Sequence, residues 1–323
     1  MNKAWVGVSE YDRFGPWIDE VETLDDMPPL YRDYPVDLEA AQLVLKVPRN
    51  IARRDATPDM DLYNHVLILE KASVTVLSRH TGEAQGSTPR SERGYDALVL
   101  AHDEIAAIRD VATLLDGRLT IATSKGVSIT VRYNTASRAM ISSLVDQLQA
   151  ATKTQAPSTL GEALLSRAPK QAGSAESLGI GRGEKLLVSE FMDARRSNSR
   201  LRPWASHGRK RVRPRGEGLK ATLLRVTHAL SPMTVHGAVF STDGSALEIF
   251  SRKAWLVRGS SADHSAARLV MPLSAIDSVE MRPHELYPEV TITTLHAGEW
   301  STDMALPHDC EAHRLFGAVV ESH

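Results

Sequence analysis

The sequence predicts a mainly β fold with terminal α-helices: two barrel- or sandwich-like β domains, each closed by a C-terminal helix. Three observations carry that prediction. First, one stretch occurs twice. Ala97–Thr123 and Arg268–Thr294 align without a gap at a constant offset of 171 residues, and seven of their 27 positions are identical. The identities are Leu98/Leu269, Val99/Val270, Ile105/Ile276, Leu115/Leu286, Thr120/Thr291, Ile121/Ile292 and Thr123/Thr294; Leu100/Met271 and Ile108/Val279 are conservative. Such internal likeness points to two copies of one fold. Second, Val127, Ile129, Val131 and Tyr133 alternate with polar residues, the period of a half-buried strand. Third, the period then changes. Met140, Ile141, Leu144, Val145 and Leu148 share one face of a helix, and Ala312, Leu315, Phe316, Val319 and Val320 do so at the end of the second copy.

Composition bounds the rest. The chain has 323 residues, room for two domains of ordinary size. Its net charge of −2 carries no polyanion signature for the whole molecule, so any charge argument is local. A single cysteine, Cys310, rules out an internal disulfide and a cysteine-rich metal site, and fits a reducing compartment. The N-terminal residues lack a signal-peptide pattern and no apolar run reaches the length of a membrane span. The expectation is a cytoplasmic protein, at most peripheral to a membrane.

Taken in order, residues 1–37 form an acidic, aromatic arm. Its first 36 residues hold eight acids and six of the chain's 17 aromatics: Trp5, Tyr11, Phe14, Trp17, Tyr31 and Tyr34. Disordered tails are poor in aromatics, so the arm packs on something, either the first domain or a partner. Residues 38–153 are the first domain. Strands are expected at Ala41–Val47, His65–Leu69, Ser73–Leu77 and Leu98–Leu100, with a polar loop at 80–94. Residues 154–180, rich in Ala, Ser, Gly and Pro, read as an interdomain linker with a helical turn at Leu160–Leu165.

Residues 181–323 are the second domain. Glu184–Val188, Leu223–Thr227 and Ala238–Ser241 read as strands. Leu247–Phe250 and Trp255–Val257 are matched to the first copy's paired strands, because Lys253-Ala254 echoes Lys71-Ala72. Each copy is then six or seven short strands followed by one amphipathic helix. That order, with the phrase MPLSAIDSVEMR between strands, resembles bacterial pleckstrin-homology-like domains. The resemblance covers most of 38–153 and 181–323, and it implies domains that act by binding and often assemble.

No enzyme signature survives inspection, and no cofactor or metal is expected. Gly179, Gly181 and Gly183 lack a following Walker lysine. Asp55, Asp59 and Asp61 lack the glycine and terminal glutamate of a calcium loop. His308, Asp309 and Cys310 are contiguous, so their side chains diverge; Asp309 reads as a helix N-cap.

The strong local feature is an insertion, 194–216. It carries Arg195, Arg196, Arg200, Arg202, Arg209, Lys210, Arg211, Arg213 and Arg215, no acid, and Trp204 at its middle. The expectation is a long loop. Three readings stand for it: a solvated insertion; an anion-binding loop for lipid headgroups or nucleic acid, with Trp204 to stack a base or sit at a headgroup; and a protein contact, the acidic arm being a natural complement. In pleckstrin-homology-like domains this loop carries the basic residues of phosphoinositide-binding members, and Arg211-Val212-Arg213 matches the short end of their motif. The function expected is non-enzymatic: binding or scaffolding through protein contacts, with a protein partner or by self-association. The alternatives are peripheral binding of anionic lipid or nucleic acid, and then an unrecognised enzyme.

Overall fold

The structure is a computed structural model that describes residues 9–80, 93–153, 155–167, 178, 180, 184–215, 231–259 and 264–321. Trp5, the three glycines of the GIGRG stretch, the expected strand Leu223–Thr227 and most of the polar loop before Tyr95 lie outside these residues. The fold is mainly β, with several antiparallel sheets and a C-terminal helix. No described helix is long and apolar enough to cross a membrane. The chain divides into two units. One holds residues 1–103, 115–119 and 130–151; the other holds 104–114, 120–129 and 152–323.

The first unit opens with the arm: a short helix α1 (Glu10–Arg13), capped by the Ser9 hydroxyl, and strand β1 (Asp19–Glu20). Strands β2 (Leu43–Pro48), β3 (Tyr63–Leu69), β4 (Ser73–Arg79) and β5 (Tyr95–Ala101) follow. They form one antiparallel sheet in the order β1-β2-β3-β4-β5. The period-2 pattern aims Val44, Val66, Ile68 and Leu77 at the arm, where they bury against Phe14, Val21, Met27 and Tyr31. Tyr31 is fully buried, edge-on to Tyr95 with ring centroids 5.1 Å apart, and its hydroxyl donates to the Asn64 carbonyl at 2.7 Å.

Strands β6 (Ile105–Thr113), β7 (Asp116–Thr123) and β8 (Ser128–Asn134) come next, then helix α2 (Arg138–Thr152). β7 and β8 each run from one unit into the other. The Asn134 side chain accepts from the Ala136 amide and starts the turn that leads into α2. Ile141, Leu144, Val145 and Leu148, the expected apolar face, are all buried.

In the second unit, α3 (Thr159–Ser166) lies within the stretch read as a linker, yet Leu160 and Leu164 are part of the unit's apolar core. Gly161 sits so close to Leu273 that a Cβ would fall 2.4 Å from its carbonyl oxygen. Helix α4 (Lys185–Ser197) follows. Then come β9 (Arg202–His207), β10 (Lys210–Val212), β11 (Met233–Val235), β12 (Ala238–Thr242), β13 (Ala246–Ser251), β14 (Leu256–Arg258) and β15 (Ser265–Pro272). The unit ends with β16 (Ser278–Pro283), β17 (Val290–Ala297), β18 (Trp300–Pro307) and helix α5 (Glu311–Val320).

The likeness between the copies extends well beyond the 27 matched residues. β2-β3-β4-β5 and β9-β12-β13-β15 are four-strand runs paired in chain order; β6-β7-β8 and β16-β17-β18 are three-strand runs; α2 and α5 close the two series. Within the second unit β6 also pairs antiparallel with β15, with Val270 opposite Ile108 and Arg268 opposite Asp110. The sheet so formed runs β8-β7-β6-β15-β13-β12-β9.

Three expectations are corrected. Glu184–Val188 is the start of α4, not a strand. The LLV run fits either period, and Leu187, Phe191 and Ala194 prove to be one buried helical face. The partner of the β3–β4 hairpin is β12–β13, whereas Leu256–Arg258 joins β10 and β11 in a separate sheet; the Lys-Ala likeness set the pairing one hairpin out. Asp309 is not the cap of α5. Cys310 is, its sulfur accepting from the His313 amide at 3.3 Å.

Candidate functional site

The basic stretch is not a long loop. Arg195 and Arg196 end α4, Arg200 follows in the turn, Arg202 opens β9, and Lys210 and Arg211 lie on β10. Trp204 is 5% exposed and belongs to the apolar core with Phe240 and Leu247. It is unavailable to stack a base or enter a headgroup layer. Apolar clusters take its apolar members: Leu201 in one, Trp204 and Ala205 in a second, and Val212 in a third.

The most exposed charges fall at alternate sequence positions. Arg209, Arg211, Arg213 and Arg215 are exposed at alternate positions, while Val212 between them is buried. Arg211 lies on β10, Arg209 just before it and Arg213 and Arg215 just after it, a row of exposed arginines in sequence. Among the described residues β10 ends its sheet, β10-β11-β14. The Arg215 amide donates to the Leu286 carbonyl at 3.0 Å and fixes the far end of the row. Asp193 pairs with Arg196, and Asp309 lies 2.8 Å from the Lys210 ammonium.

Helix α4 forms the platform beneath Arg195 and Arg196, and buried ion pairs lie at the elements around it. Glu184, at the helix start, accepts from Arg252 at 2.8 and 3.1 Å. On the sheet, Arg268 holds Glu248 at 2.9 and 3.0 Å, both out of water. At the other end of the helix, Asn198 and Lys153 meet Asp243 at 2.8 and 2.7 Å. Burial alone would raise Asp243, but hydrogen bonds from Lys153, Ser245 and Asn198 outweigh it and hold the carboxyl well below the usual range.

Beside the row, a cleft of about 390 Å³ opens between the β9–β10 turn and the start of α5, lined by His207, Arg209, Lys210, Cys310, Glu311 and Arg314 among others. His207 and Cys310 both line it. Burial raises the Cys310 thiol, which keeps it protonated, and burial lowers His207 to about 4, which makes it a weak base. Among the described residues no group of three or more His, Cys, Asp or Glu gathers where a metal could be held.

Of the arm's aromatics, Phe14 and Tyr31 are buried within the first unit, and Tyr11 and Tyr34 pack half-buried against the same cluster. Trp17 stands 58% exposed. Two of the arm's acids make local contacts: Asp26 accepts from Thr23, and Asp33 accepts from the Tyr95 hydroxyl at 2.7 Å. Sequence reasoning named the basic residues but missed their order. The signal was there, in arginine at every second position from Arg209 to Arg215. The chain matches no family profile, no characterised protein and no solved structure.

Proposed function

We propose that this chain is a non-enzymatic binding protein of two pleckstrin-homology-like domains, and that the arginine row of the second domain takes an acidic, extended segment of a partner protein. The domain assignment is supported by the order of elements in both halves: four strands, three strands, one closing helix. The observation that carries the binding reading is the row itself, four exposed arginines at alternate sequence positions on and beside β10, which among the described residues ends its sheet, with the neighbouring tryptophan buried. An extended peptide presents its own alternate side chains at the same repeat, and a sheet edge offers it backbone hydrogen bonds. Arginine grips carboxylates in a two-pronged fashion.

The buried Trp204 separates this reading from the nucleic-acid one. Base stacking on aromatics adds roughly 1–3 kcal/mol per base, and the row displays no aromatic. Poly-glutamate and a thymidine oligonucleotide of equal charge should therefore bind with similar affinity at equal salt. Changing Arg209, Lys210, Arg211, Arg213 and Arg215 to Ser should abolish both. An oligonucleotide or an anionic vesicle that binds more than about tenfold tighter than poly-glutamate would replace the protein-contact reading with the lipid or nucleic-acid one.

A further inference from the structure

Among the described residues two sheet edges of the second unit are mated, and the repeat equivalents of both strands each end a sheet. Within the second unit β15 pairs with β6. The repeat equivalent of β15 is β5, and that of β6 is β16, both at the offset of 171 residues. Among the described residues β5 ends its sheet and β16 ends its own. We propose that these two edges pair between molecules: β16 of a second copy of this chain adds antiparallel to β5, as β6 adds to β15 within the chain.

The side chains support the pairing in detail. Carrying the observed β15–β6 register across by the offset sets Val99 opposite Val279, Leu98 opposite Glu280, Ala97 opposite Met281 and Asp96 opposite Arg282. Val99 is 57% exposed, whereas its repeat equivalent Val270 is fully buried opposite Ile108. Val279 is the equivalent of Ile108, so the conserved apolar pair is complete in one place and divided in the other. Leu98 opposite Glu280 repeats the kind of pair that the chain already makes with Leu269 opposite Arg109. Asp96 and Arg282 are exposed, with side chains 62% and 58% accessible, and of opposite charge. Pro283, which lacks an amide hydrogen, ends β16 and limits the match to 279–282. Because β5 and β16 are different surfaces, the contact is heterologous. It closes into a ring or extends as a series according to the angle between successive copies.

The test uses the full chain and its mass in solution. The wild-type mass should rise above 35.4 kDa with concentration. Asp96→Arg and Arg282→Asp should each raise the concentration needed for association about tenfold, since each sets like charges face to face. The double variant D96R/R282D should restore association, because the swapped charges meet again. A second measurement traps the register. Mixing a Val99→Cys chain with a Val279→Cys chain under oxidising conditions should give a disulfide-linked pair, and neither variant alone should. A chain that stays at 35.4 kDa at every concentration, single reversals that leave association unchanged, or a mixture that stays unlinked would each overturn the proposal.

Discussion

Replacing Tyr31 by Ala tests whether the arm is part of the first unit's core. The residue is fully buried, and its ring meets Tyr95 edge-on at 5.1 Å. Its hydroxyl donates to Asn64 O at 2.7 Å, and burial pushes the phenol well above its ordinary pKa, so it stays protonated as that bond requires. Truncating a buried aromatic to Ala costs about 3–5 kcal/mol, a large part of the 5–15 kcal/mol that typically holds a domain together. Tyr31→Phe keeps the ring and removes the hydrogen bond, and should cost about 1–2 kcal/mol. The assay is urea unfolding of the full chain, with limited proteolysis of the arm. Wild type should resist cleavage between Phe14 and Tyr34, and Tyr31→Ala should be cut there well before the sheet unfolds. A loss below about 1 kcal/mol, with no new cleavage, would show that the arm does not depend on this anchor.

Two further perturbations address the second unit. His207, held neutral by burial at about 4 against an ordinary 6.5, takes up a proton in the unfolded chain before it does in the folded one. Stability should therefore be full above pH 6.5 and fall as pH drops toward 4, by roughly 3 kcal/mol. His65, also lowered to about 4 by burial, adds a slope of the same sign, so His207→Gln should reduce the pH dependence of the urea midpoint rather than abolish it. Glu248→Ala would leave the Arg268 guanidinium without the carboxylate that it holds at 2.9 Å, and should cost roughly 3–5 kcal/mol. An unfolding midpoint unchanged in that variant would show the pair to be dispensable.

The repeat was legible because packing constrains both copies alike. Leu98/Leu269 and Ile121/Ile292 lie on equivalent strands, Ile105 and Ile276 are both buried, and a single offset carries α2 onto α5. Legibility failed where one copy has no counterpart. The segment after Leu186-Leu187-Val188 is a helix in the second copy, and no short apolar run states its own period. The basic stretch misled for another reason. Its net charge argued for a loop, but charge says only which side chains face water; the backbone remains free to be a strand. The buried polar partners, Glu184 with Arg252 and Glu248 with Arg268, were out of reach altogether. They join residues 68 and 20 positions apart that only the folded chain brings together.

The measurement closest to the central claim is the salt dependence of poly-glutamate binding to the full chain and to the variant with Arg209, Lys210, Arg211, Arg213 and Arg215 changed to Ser. Binding carried by a row of guanidinium groups weakens steeply and log-linearly as salt rises. The wild type should show that slope, and the variant should bind at no salt concentration while unfolding at the same urea midpoint. Equal affinity and equal slope for the two proteins would contradict the account.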